Sequence, residues 1–146
     1  MNGSPFEQSV QTKPEQLNIL LPDPGLSWQD SDHAATVVAL RSDRLGDDAL
    51  PESLGRELMR TLLKTLAEGP VVPQAIVLYG QAVNLAQADH FLVAYLQHLE
   101  RRGCDILCCR ISHTALQSAK APEVGHLVDW IDILACFDRA AKVLWP

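Results

Sequence analysis

The chain has no apolar run near the ~20 residues needed to cross a bilayer, so no segment reads as a membrane span and no membrane partner is expected. It has no basic surplus either. Its 12 Lys and Arg stand against 18 Asp and Glu, for a formal net charge of −6 and a pI of about 5.2. Binding nucleic acid requires a basic face that displaces phosphate counterions, so nucleic acid is excluded as a partner. The densest basic feature, Arg101-Arg102 with Arg110 and Lys120 beyond, reads as solvated helix-end charge. Glycine-rich phosphate loops are missing too. Neither GxGxxG nor GxxxxGK[ST] occurs, which leaves dinucleotide and P-loop nucleotide binding without a motif. The opening MNGSPFEQSVQTKPEQ lacks the basic start and apolar core of a secretory signal. The expected location is therefore the cytoplasm. Thiols stay reduced there, and the four cysteines are not read as a disulfide framework.

What is present suits one ordinary domain. At 146 residues, 47% apolar and 21% charged, the chain can bury a core without metal or disulfide staples. Residues 1–34 carry Pro5, Pro14, Pro22 and Pro24 among polar residues and read as an extended or partly disordered N-terminal arm. Its one apolar run, Leu17-Asn-Ile-Leu-Leu21, could add an edge strand or pack on a neighbour. Trp28 and Trp145, near the two ends, are candidate interface anchors.

From Thr36 the pattern becomes regular. Thr36-Val-Val-Ala-Leu40, Ala75-Ile-Val-Leu-Tyr79 and Cys104–Cys109 are short apolar runs of the kind buried on both faces of a parallel sheet, and Lys142–Trp145 closes as a last strand. Between them fall helical spacings. Leu54, Leu58, Leu62, Thr65 and Leu66 follow Pro51 and stop at Gly69, and Phe91, Leu92, Tyr95, Leu96 and Leu99 set a second helix. Arg110–Lys120 is a short third helix. A fourth follows Asp129, a candidate N-cap, with Trp130, Ile133, Leu134 and Phe137 on one stripe. Strands alternating with helices imply parallel pairing and right-handed crossovers. The expected fold is a single three-layer α/β domain over 35–146. Ligands of such sheets sit beyond the carboxyl ends of the strands, which points to the loops 41–50, 80–84 and 109–113.

The chemistry concentrates in GCDILCCRISHT, residues 103–114, which holds three of the four cysteines. On a strand, Cys104 and Cys108 face one side and Cys109 the other. Cys104 and Cys108 would lie about 13 Å apart, and no second cysteine pair completes a zinc knuckle, so no metal site is expected. Cys104, Cys108 and Cys136 read as small buried hydrophobes. Cys109 differs by standing where a strand ends and a helix begins. Helix-terminal N–H groups and Arg110 favour a negatively charged sulfur there. His113 follows four residues on, and its ring could lean back toward Cys109. From spacing alone a reactive thiol and an inert one stand level. Ser42, Asp43 and Asn84 are rim candidates from the other loops, and Asp47-Asp48 reads as a solvated pair.

Four segments in order, SDRLGDD…LGRELMRTLLKTL, PQAIVLYGQAVNLA, LERRGCDILCC and VGHLVDWIDILACFDRAAKVLWP, resemble the DsrE/DsrF/DsrH-like sulfurtransferase family. The nearest likeness is to the carboxyl-terminal DsrE-like domain of YedF-type proteins associated with selenium metabolism, and it spans roughly residues 35–146. The resemblance implies a DsrE/DsrF-like α/β fold, a homo-oligomer, and a relay that passes sulfur (or selenium) between donor and acceptor proteins as a cysteine persulfide, with no cofactor. The family's sulfur-bearing cysteine carries over onto Cys109; the residues set around it by position in this chain are His113 as catalytic partner and Arg110, Ser112, Ser42, Asp43 and Asn84 as binding candidates. YedF-like members often have a second cysteine where this chain has Ser112, and an asparagine- and glycine-rich loop where it reads Gly80-Gln81-Ala82. It has no Cys-Pro motif of the TusA-like type, so a stand-alone DsrE-like unit is expected. The rival expectation is a non-catalytic, oligomeric small-ligand-binding or assembly module of the same fold.

Overall fold

A computed structural model describes residues 35–117 and 120–146; the N-terminal arm and Trp28 lie outside the described residues. Five strands form one parallel sheet: β1 (Thr36–Leu40), β2 (Ala75–Leu78), β3 (Asp105–Cys109), β4 (His126–Val128) and β5 (Lys142–Leu144). Four α-helices connect them: α1 (Glu52–Glu68), α2 (Val93–Arg101), α3 (Arg110–Gln117) and α4 (Trp130–Arg139). A 3-10 segment, Gly80–Ala86, follows β2. The order across the sheet is β4-β3-β2-β1-β5. The expected α/β class is the observed one.

That order decides the layers. From β1 to β4 each strand lies beside its predecessor and the chain always moves the same way, so right-handed crossovers put α1, α2 and α3 on one face. From β4 the chain must return across the whole sheet to reach β5 beside β1. The same handedness then places α4 on the opposite face.

Each face has its own core. Val37, Ala75, Val77, Leu107, Cys109 and Val128 form one cluster with Ile133 and Cys136 of α4, and Tyr79, Phe137, Ala140 and Val143 pack against it. The alternate strand residues Val38, Leu40, Ile76, Leu78, Ile106 and Cys108 are also buried and serve the other face. Both faces are covered, which is why the strands read as unbroken apolar runs.

Three expectations need correction. On α1 the buried residues are Gly55, Met59, Leu63, Leu66 and Ala67, while Leu54 and Leu58 face solvent. The sequence carries two apolar stripes about one residue apart, and docking of the helix selects the second. On α4 the buried residues are Ile133 and Cys136, and Leu134 is exposed, for the same reason. The third is an omission: β4 has only three residues, too few to show a period. Gly125, with φ 76°, makes the tight entry to it, and its N–H donates to Glu100 Oε2 at 2.9 Å.

Candidate functional site

Ligands of open α/β sheets sit where neighbouring strands send their connections to opposite faces. Here that place is between β3, which leads into α3, and β4, which leads into α4. Cys109 is the last residue of β3, paired with Val128 at the end of β4. Arg110 opens α3, and its Nε donates to Asp129 Oδ1 at 3.0 Å, so an ion pair bridges the two diverging connections. Asp129 is also the N-cap of α4. Its side chain and that of Asp132 each accept the other residue's backbone N–H in a capping box. The N-cap expected from sequence is thus present, and it does a second job.

The sulfur itself is covered. Cys109 is only 1% exposed. Leu78 pairs with Cys108 in the sheet register, so the next residue, Tyr79, stands beside Cys109 at the strand ends. Tyr79 packs against the same cluster as Cys109 and meets Trp130 of α4 edge to face, with ring centroids 5.5 Å apart. The Tyr79–Trp130 pair therefore lies at the end of the sheet on the face that carries Cys109, where it is the candidate cover of the thiol.

The other thiols follow strand parity. Cys104 and Cys108 lie on the opposite face, and burial pushes both up to about 12. Burial raises Cys136 as well. It sits six residues beyond Trp130, about 9 Å along the helix, and lines a different opening near the amino ends of the strands. All four cysteines are free, and among the described residues no group of three His, Cys, Asp or Glu side chains is placed to hold a metal ion.

The remaining sequence candidates are distributed rather than gathered. His113 is buried at 3% exposure, its Nε2 has no hydrogen-bond partner among the described residues, and burial lowers its pKa. Ser112 Oγ accepts the N–H of Gly80 at 2.8 Å, which ties the first turn of α3 to the loop after β2. Asp43 and Asn84 come together, with Asn84 Nδ2 donating to Asp43 Oδ2 at 3.1 Å, and both line a cavity that Cys109 does not. Ser42 accepts the N–H of Arg44 at 3.3 Å and lines a separate hollow with Arg41 and Pro146. Tyr79, Asp129 and Trp130 escaped the sequence reading of the site because β4 did. The one available signal was Gly125 ahead of His126-Leu-Val128, a turn residue before a short apolar stretch.

No family model matches the chain, and no curated protein does. Among solved structures it is similar to the ychN protein from E. coli, seen in a crystal structure. The TM-score is 0.51 and the sequence identity 15%, over 76% of this chain and 98% of that one. The likeness is one of fold alone.

Proposed function

We propose that the chain carries sulfur, or selenium, as a persulfide on Cys109, in the manner of the DsrE-like and YedF-type proteins that its motifs resemble. The observation that carries this reading is the position of Cys109. It ends β3 at the point where the connections part to opposite faces, directly before the first turn of α3. In the loading step the Cys109 thiolate attacks the outer sulfur of a donor persulfide. A new S–S bond forms, the donor's S–S bond breaks, and the electron pair leaves on the donor thiolate. In the unloading step an acceptor thiolate attacks the outer sulfur and releases the Cys109 thiolate, with no net oxidation. Backbone N–H groups at the start of α3 and the Arg110 guanidinium would face the anionic persulfide. His113, whose pKa burial lowers, is the base of this reading. With Ser112 in place of a second thiol, the relay uses one cysteine. It also needs the Tyr79–Trp130 cover to part.

A second reading is a non-catalytic, oligomeric small-ligand-binding or assembly module. Two observations favour it: Cys109 is buried, and α4 presents Ile131 and Leu134 to solvent, at 76% and 60% exposure. Intact-protein mass spectrometry after incubation with inorganic polysulfide separates the two. The relay reading expects a gain of about 32 Da, one sulfur, that is lost in Cys109→Ser and increased in Trp130→Ala. No adduct in either the wild type or Trp130→Ala, or an adduct that survives Cys109→Ser, rejects the relay in favour of the module.

A further inference from the structure

Tyr79 continues the line of β2 by one residue. Its backbone is extended, with φ −139° and ψ 168°, so alternation keeps its side chain on the face of Ala75 and Val77, the face that carries Cys109. The N–H groups on either side of its Cα are both held from outside the strand. The N–H of Tyr79 donates to Leu40 O of β1 at 3.0 Å, and the N–H of Gly80 donates to Ser112 Oγ of α3 at 2.8 Å. Gly80 then turns the chain away with φ 58°, and a Cβ there would stand 2.7 Å from Arg41 O. The direction in which Tyr79 leaves the sheet is therefore set by hydrogen bonds, and a side chain supplies one of them.

Ser112 stands three residues after Cys109, in the first turn of α3. The same helix holds the same loop a second time, where Gln117 Nε2 donates to Asn84 Oδ1 at 2.6 Å. The loop after β2 is thus fastened to α3, and through Tyr79 it meets Trp130 of α4. The two sides of the crevice are α3 with this loop, and α4. They touch through the Tyr79–Trp130 pair and the Arg110–Asp129 ion pair. A thiol that is 1% exposed reacts only when such contacts open.

We propose that Ser112 is a positioning residue: its hydroxyl latches the turn at Tyr79 and Gly80, and with it the entrance to Cys109. The proposal rests on the relay reading for its purpose, because only a thiol that reacts needs an entrance. Iodoacetamide labelling of the full chain, followed at each cysteine by peptide mass spectrometry, tests access alone. Ser112→Ala should speed labelling of Cys109 about fivefold, as expected for the loss of one hydrogen bond, with Cys104 and Cys108 unchanged on the other face. Alanine is the better helix former, so α3 keeps its first turn. Ser112→Thr retains the hydroxyl and should label like wild type. Trp130→Ala should also speed labelling of Cys109, and adding Ser112→Ala to it should give little further gain, since both act on one contact. Unchanged labelling of Cys109 in Ser112→Ala or Trp130→Ala overturns the proposal. So does an equal rise at all four cysteines, fast labelling in Ser112→Thr, or a full fivefold gain from Ser112→Ala in the Trp130→Ala background. A missing sulfur adduct with the labelling as expected rejects the relay and leaves the latch, and an adduct with unchanged labelling does the reverse.

Discussion

His113 is buried, and among the described residues its Nε2 has no hydrogen-bond partner, which makes it a source of pH dependence. Burial lowers its pKa below the unfolded value of about 6.5. The unfolded chain therefore takes up the proton first as pH falls. Stability is complete above about 6.5 and is lost as pH drops from there toward the folded value. His90, also lowered by burial, acts in the same direction. Urea unfolding between pH 8 and 5 should show this loss, and His113→Leu should flatten the curve while leaving the share of His90. A slope unchanged in His113→Leu would show that another group carries it. Parity along β3 was legible in the residues themselves: alternation alone put Cys109 on a different face from Cys104 and Cys108. The Tyr79–Trp130 contact at the same end of the sheet was not, because the two residues are 51 positions apart and meet only through the sheet.

At the scale of elements, α4 was read from its cap and misread on its face. Asp129 and Asp132 form a local motif, so sequence suffices for it. Cys136 was read as buried and is; that Leu134 stays out of the core depends on the angle at which the helix lies on the sheet, which no local pattern encodes. The cap also offers a clean separation of effects. Asp129→Ala should cost about 1 kcal/mol in urea unfolding, the usual range being 0.5–2 for loss of such a cap. Asp129→Asn keeps the capping oxygen and loses only the charge that pairs with Arg110. Because that ion pair is exposed, the variant should stay within about 0.5 kcal/mol of wild type. Equal losses in the two variants would place the stabilisation in the ion pair rather than in the cap.

At the scale of the whole molecule, among the described residues α4 has more exposed large apolar side chains than any other helix: Trp130, Ile131 and Leu134. Ile131 and Leu134 lie one turn apart on α4, and Phe137 beyond them meets Trp145 edge to face at 5.3 Å. Exposed apolar side chains grouped in this way mark a candidate interaction surface. If it serves assembly, light scattering should find a self-associated wild type, and Leu134→Glu should shift it to the monomer without loss of thermal stability. A monomeric wild type at high micromolar concentration would reject that use of the strip. The strand runs, the helical spacings and the position of Cys109 at a strand end were all determined by the sequence, since each rests on residues within a few positions of one another. The order β4-β3-β2-β1-β5 was decided only by the tertiary structure. So were the return of α4 across the second face, the burial of Cys109, the meeting of Tyr79 with Trp130, and the hydrogen bonds that join Asp43, Asn84 and Gln117. Each depends on which distant segments pair and pack, and that is settled by burial summed over the whole chain rather than by any local preference.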